Sequence, residues 1–400
     1  MAGAGVTPVL RRCAVALLAG IAASTGTAQD VKLHAFADAR LVDAPAPRSF
    51  VDGGSGHTRY GDDARGVRFG AAGLVVTAQP TPSLFALVDV QLQRTDRTDL
   101  QVPEAYVRYR PVSTGAWRGS AKAGLYFLPI SLENDGIGWT SPWTITPSAI
   151  NSWVGEEIRG FGAEVREEWR ARSGTLSFGG GLFRNNDVAG NILALRGWSL
   201  SDVTYGIGGR LREPADRGER ETYDPFRPIG GRTGWYADAS WKAIEGWELR
   251  ALHYDNRADP AAYTLYAGGE RLFAWRTRFW SAGAVWTRGP LTVIAQAMDG
   301  DTDVRPDGVS FLTPFRSAFV LAGWNRGAWR PAVRVERFST RNPSERGHAV
   351  TAALNWRPLD WLRLTAEWLH VDVNRDASAV FGDPSRQGGN QLQLLARVYY

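Results

Sequence analysis

Cysteine is almost absent from this chain: Cys13 is the only one in 400 residues. It stands between Arg11-Arg12 and an apolar run to Ala23, and the small residues Ser24 to Ala28 follow. That pattern predicts a secretory signal peptide over residues 1–28, with one further unit over 29–400. A chain cut after Ala28 holds no thiol, so disulfide and thiol chemistry are excluded in a compartment that would permit them. Long apolar runs are missing too. Beyond the leader no segment approaches the ~18 apolar residues of a spanning helix, and mean hydropathy is −0.26. A helical membrane protein is therefore excluded. Lysine is scarce, with Lys32, Lys122 and Lys242 alone. Glycine-rich phosphate loops, dinucleotide fingerprints, zinc-ligand spacings and nucleic-acid modules are all absent. A formal net charge of +5 does not by itself point to nucleic acid. No cofactor and no metal are expected.

Tryptophan and glycine are plentiful instead, at 17 and 45 residues. Trp241–Trp247, Trp324–Trp329 and Trp356–Trp361 each bracket a short turn, and Trp286–Leu291 repeats the design with one Trp replaced. Between them lie longer polar stretches at 256–272, 300–316, 340–347 and 372–389. Short turns alternating with long loops, and tryptophans flanking the short ones, fit a transmembrane β-barrel with an aromatic girdle.

The segments between these marks alternate with a period of two, which puts apolar and polar residues on opposite faces of a strand. Leu362, Leu364, Ala366 and Trp368 interleave with Arg363, Thr365 and Glu367. The same reading over 31–41, 65–78, 84–94, 102–110, 119–128, 157–169, 174–184, 234–243, 246–255, 273–287, 291–299, 317–325, 329–339, 348–357, 361–371 and 390–400 predicts about 16 antiparallel strands. An extra hairpin at 191–199 and 203–212 would give 18. The last ten residues alternate as well. Leu392, Leu394, Ala396, Val398 and Tyr400 share one face, and this terminus resembles the assembly signal of outer-membrane β-barrels. The resemblance implies the outer membrane of a Gram-negative bacterium, contact with its lipid and with the barrel assembly machinery, and a homotrimer as the assembly to test.

A barrel of this size is wide enough for water, so what lines and narrows it decides its use. By parity the inward basic residues are Arg68, Arg108, Arg110, Lys122, Arg166, Lys242, Arg250, Arg330, Arg334, Arg363 and Arg397. The inward acids are Asp89, Glu104, Glu164, Asp238, Glu248, Glu336 and Glu367. The basic excess predicts a mild preference for anions. Segment 129–156, rich in Trp and Pro, is the candidate constriction. In that reading Glu133 and Asp135 face Arg108, Arg110, Lys122 and Arg166 across the narrowest point.

The stretch Gly124-Leu-Tyr-Phe-Leu-Pro129-Ile-Ser-Leu-Glu133, followed by Trp139-Thr-Ser-Pro-Trp143-Thr-Ile-Thr-Pro147, resembles the strand-to-loop region of the phosphate-selective porin family. What it implies is a non-enzymatic channel for passive diffusion of small hydrophilic or anionic solutes, with 129–156 folded inward. That family's phosphate path is lysine-rich and this chain is not, so the resemblance implies a porin before it implies a solute. Three rivals follow from the same sequence. One is an adhesion or assembly barrel with a closed lumen, and a second is an exporter of acidic polysaccharide, which would also want an arginine-lined wall. The third is a barrel enzyme, for which His370-Val-Asp372 is the one close His/Asp pair.

Overall fold

Alternation becomes strand over the whole wall, and sixteen strands close into one antiparallel barrel. The computed structural model describes residues 30–94, 98–212, 222–266, 269–377 and 384–400; the expected leader lies outside them. The strands of the first half are β1 (Asp30–Ala44), β2 (Ala64–Thr81), β3 (Leu84–Arg94), β4 (Thr98–Tyr109), β5 (Trp117–Tyr126), β6 (Gly160–Ala171) and β7 (Gly174–Arg184). Two small hairpins, β8 (Leu211–Arg212) with β9 (Thr222–Tyr223) and β12 (Tyr263–Leu265) with β13 (Arg271–Phe273), stand apart from the wall. The wall continues through β10 (Gly234–Ala243), β11 (Trp247–Asp255), β14 (Arg276–Arg288), β15 (Leu291–Val304) and β16 (Phe311–Trp324). It ends with β17 (Trp329–Thr340), β18 (Glu345–Leu359), β19 (Leu362–Arg375) and β20 (Arg386–Tyr399). β20 pairs with β1 from Phe36↔Tyr399 to Asp43↔Leu392, which leaves the wall without an open edge.

The two faces separate as the alternation requires. On β20 Leu392, Leu394 and Val398 are exposed, while Gln391, Gln393 and Arg397 are buried. An exterior of exposed Leu, Val and Trp around a hydrogen-bonded wall belongs in hydrocarbon. Near the short turns, cross-strand tryptophans pair on that exterior. Trp329 stacks on Trp356 at 5.4 Å and 12°, Trp247 meets Trp286 at 5.8 Å, and Trp117 meets Trp169 at 6.3 Å. Each such pair contributes about 0.5–1.5 kcal/mol beyond its buried area. Towards the other rim His253 lies between Trp235 and Trp280, at 5.1 and 4.4 Å.

The expected 16 strands are present. Three finer expectations are corrected. The extra hairpin that would have given 18 does not join the wall, because 191–199 holds a short helix, 203–207 a loop, and Leu211–Arg212 belongs to the small hairpin with β9. The stretches 300–316 and 340–347 are not long loops. β15 runs to Val304 and β16 starts at Phe311, while β17 ends at Thr340 and β18 starts at Glu345. Polar residues alternate there as apolar ones do below, so pairing continues past the apolar belt, with ion pairs such as Arg278–Asp301 at 3.0 Å on the outside. The third concerns 372–389, whose ends belong to β19 and β20.

Candidate functional site: the inward loops and the basic vestibule

The chain between β5 and β6 leaves the wall at Phe127, and Pro129, Pro142 and Pro147 keep it from pairing as a strand. It folds into the lumen and ends in helix α1, Ala149–Glu157, whose residues are all buried. Ser148 caps that helix, accepting the Asn151 N–H. A loop in such a place must satisfy its backbone with side chains, and inward polar residues of the far wall do this. Gln296 donates to the Ile130 carbonyl at 2.9 Å, Arg250 to Ser131 at 2.8 Å and Asn355 to Trp143 at 2.7 Å. Glu367 accepts the Ile145 and Thr146 N–H groups at 2.5 and 3.1 Å. Glu336 accepts the Ala149 N–H at 2.7 Å, which places a carboxylate at the positive end of α1.

Arg334 joins these groups. Its guanidinium reaches Glu133 at 2.5 Å, Glu336 at 2.8 Å, the Thr146 and Pro147 carbonyls at 2.8 and 3.0 Å, and the Thr351 hydroxyl at 3.1 Å. All three charged side chains are fully buried. Glu133 therefore does not face Arg108 as the sequence suggested; its second oxygen takes the Ser148 N–H at 2.9 Å and the Asn151 amide at 3.0 Å. The reason is reach: every inward residue of the wall borders the lumen, and a desolvated carboxylate settles where donors are most numerous.

A second segment, 185–210, enters beside the first, and sequence reasoning missed it. It carries the short helix α2, Asn191–Leu195. Trp198 packs edge-on to Trp153 of α1 at 5.8 Å and to Phe315 of the wall at 5.9 Å. The apolar run Ile192-Leu193-Ala194-Leu195 was the available signal, since an external loop has no use for it. Glu157 bonds both pieces: it accepts the Trp153 indole N–H at 2.7 Å and the Gly190 and Ile192 N–H groups at 3.1 Å. Burial pushes its carboxyl up to about 7, and the Ile192 and Trp153 bonds only partly oppose this. Burial also works against the charge of Asp202, but Arg40 and Arg59 beside it, at 2.5 and 3.0 Å, outweigh this and hold its carboxyl well below the usual range. The loop between β1 and β2 joins through His57, whose Nδ1 lies 2.8 Å from the Trp198 carbonyl. Burial pulls the His57 imidazole down to about 4.

Below the loops the lumen opens. A cavity of about 240 Å³ is lined by Arg108, Arg110, Lys122, Arg166, Arg250 and Pro129, with Glu164, Glu168 and Asp238 among them. The structure thus brings Arg108, Arg110, Lys122 and Arg166 together on β4 to β6. They differ in company. Arg166 forks onto Asp238 at 2.7 and 2.8 Å. Lys122 lies 3.4 Å from Glu164 and 4.0 Å from the Tyr126 ring centre. Arg108 rests on the Phe85 ring at 4.8 Å. Neither Arg108 nor Arg110 has a carboxylate in salt-bridge reach among the described residues. Asp135 is exposed, with Arg330 and Glu248 as its charged neighbours. His370 and Asp372 lie on the outer face, where Asp372 binds Arg386 at 2.9 Å. Among the described residues no group of three His, Cys, Asp or Glu is placed to hold a metal ion.

No protein-family model matches this chain, and no curated protein sequence matches it. Solved structures do resemble it. The outer membrane channel DcaP of Acinetobacter baumannii matches over 93% of this chain and 97% of its own, at 11% identity and a TM-score of 0.55. OmpT, an outer membrane protein of Vibrio cholerae in a trimer form, matches over 93% and 99%, at 12% identity and 0.53. An anion-selective porin from Comamonas acidovorans matches over 93% and 99%, at 12% identity and 0.51. At these identities the likeness speaks for the fold: a 16-strand porin-type barrel.

Proposed function

We propose that this chain is an outer-membrane channel of a Gram-negative bacterium, passing small hydrophilic solutes passively with a mild preference for anions. The observation that carries the reading is the vestibule of about 240 Å³ beneath the inward loops, where Arg108 and Arg110 face water without a neutralising carboxylate. A low-dielectric wall focuses such charge onto the water path. The resemblance around Gly124–Pro147 makes inorganic phosphate the solute to try beside chloride. The enzyme reading loses its residues, since His370 and Asp372 point away from the lumen.

Assembly as a homotrimer belongs to the same reading. The girdle is interrupted: β20 and β1 to β4 carry no tryptophan. Their exterior offers small residues such as Ala37, Ala39 and Ala396, in register on β1 and β20. A wall without interfacial tryptophan, with small residues along the β1–β20 seam, suits protein contact better than lipid.

Single-channel recording of the purified protein, with the reversal potential measured in a potassium chloride gradient, tests the function. Discrete conductance steps with chloride favoured are expected. A protein that folds but conducts nothing, or one that favours potassium, would sink it.

A further inference from the structure

Outside the lumen, the arginines of the upper rim divide into two groups. On β14 to β16 each has an acid: Arg276 pairs with Asp255 at 3.1 Å, Arg278 with Asp301 at 3.0 Å, and Arg316 with Asp299. On β17 to β20 the balance changes. Register sets Arg337 beside His348 and His348 beside Asp372 in one row across the strands. Two residues further out, Arg346 faces Asn374 and Asn374 faces Arg386. Strands lie ~4.8 Å apart and two residues advance ~7 Å, so these side chains form one compact patch. Arg337, Arg346, His348 and Arg386 are all exposed. Asp372 is the acid within the patch and is engaged by Arg386, and Asp376 stands exposed at its outer edge. Arg337 and Arg346 have no carboxylate in salt-bridge reach among the described residues.

The depth of the patch identifies its partner. Directly below it on the same face come Val335 and Val350 with His370 and Asn390 beside them, then Val333, Ala352 and Trp368, then Leu354; Val335, Val333, Trp368 and Leu354 are exposed. In a bilayer those residues meet hydrocarbon and the tryptophan meets its border. The guanidinium groups then stand at the level of the headgroups. Arginine forks onto phosphate oxygens through two parallel N–H bonds, and basic residues at that depth attract anionic lipid.

We propose that the exterior of β17 to β19 above the apolar belt is a binding site for anionic, phosphorylated lipid headgroups, with Arg337 and Arg346 as its free donors. The site rests on the membrane placement proposed above, and it needs no particular solute or conductance. The full chain, folded in neutral detergent, is titrated with phosphatidylglycerol and with phosphatidylcholine, and bound lipid is counted by native mass spectrometry. The wild type should prefer phosphatidylglycerol. Arg337→Gln with Arg346→Gln should weaken that binding at least about tenfold, in line with the general strength of basic residues at a membrane surface. Arg337→Lys with Arg346→Lys should keep most of it, and Arg278→Gln with Arg316→Gln should leave it unchanged. Each variant is first checked for the heat-modifiable mobility of a folded barrel. Equal phosphatidylglycerol binding by wild type and the glutamine pair would overturn the site, as would displacement of the lipid by inorganic phosphate at equal concentration. A wild-type barrel that conducts but shows no preference for phosphatidylglycerol counts against this inference alone. A chain that yields no heat-modifiable barrel counts against the membrane reading beneath it.

Discussion

Arg334 and Arg108 both point into the same lumen, and they are used in opposite ways. Arg334 is wholly enclosed, with two carboxylates, two carbonyls and two hydroxyls around one guanidinium. Arg108 has the face of Phe85 and open water. The first arrangement spends its charge on structure: a desolvated ion set is tolerable only when every member is matched. The second keeps its charge available, because nothing nearby cancels it. Residue type and wall parity are identical in the two cases. The number of partners decides which arginine is a rivet and which can act on a passing solute.

The widest separation between the two should appear on removal. Arg334→Met leaves Glu133 and Glu336 buried without their cation, and breaking such a set costs about 3–5 kcal/mol. The urea midpoint of the folded barrel should fall accordingly, and released inward loops should raise conductance. Adding Glu133→Gln should recover part of the stability. An unchanged midpoint for Arg334→Met would erase the distinction drawn here.

Removing the open pair should do the reverse. Arg108→Gln with Arg110→Gln should change stability by no more than about 0.5 kcal/mol and lower the chloride-to-potassium permeability ratio. Lys122→Gln with Arg166→Gln should shift the ratio less, since Glu164 and Asp238 already offset those charges. Equal shifts from both pairs would mean that ion pairing does not matter to selectivity.

A pH titration sharpens the comparison from the side of the docked loops. Glu157 titrates near 7 in the folded chain and at roughly 4.3 when unfolded. Its folded value is raised, so the native state binds the extra proton between these limits. The stability it contributes is present below about 4.3 and is lost as pH rises through about 7. His57, lowered to about 4, has the opposite sign: its contribution is present above roughly 6.5 and is lost as pH falls towards about 4. Tryptophan fluorescence from Trp153 and Trp198 should therefore report looser inward loops on passing from pH 6 to 8. Glu157→Gln should remove that step; a step that survives the substitution belongs to another group.

The smallest effect is expected outside. Trp329→Ala breaks the stacked pair with Trp356 and should cost about 0.5–1.5 kcal/mol in ring contact, with conductance and ion preference unchanged. An altered ion preference would tie the girdle to the lumen.

How much of this was legible in the sequence follows from distance along the chain. Strands announce themselves locally, because inside and outside alternate residue by residue; Leu362 to Trp368 needed no partner to be read. The vestibule was legible for the same reason: Arg108, Lys122 and Arg166 follow from parity on neighbouring strands. The inward loops were not. Glu133 was matched to near neighbours in sequence, yet its partner Arg334 lies 201 residues away. Thr146 and Glu367 are 221 apart. Inside a closed cylinder all strands are equally near, so sequence proximity carries no information about which wall residue a loop will meet. The helix Asn191–Leu195 was left open as an extra strand because four apolar residues in a row fit either state.

The seam between β1 and β20 carries a consequence for biosynthesis. Ala35 and Tyr400 exchange both backbone hydrogen bonds, at 3.0 and 2.9 Å, so the first wall strand is completed only when the sixteenth reaches it. Until then the nascent sheet has two unsatisfied margins, each a template for mispairing with another chain. Joining them closes a loop that runs through all sixteen wall strands, the contact with the greatest entropic delay. Closure is thus all-or-none: a chain lacking β20, however well its earlier hairpins form, has no way to seal its two margins.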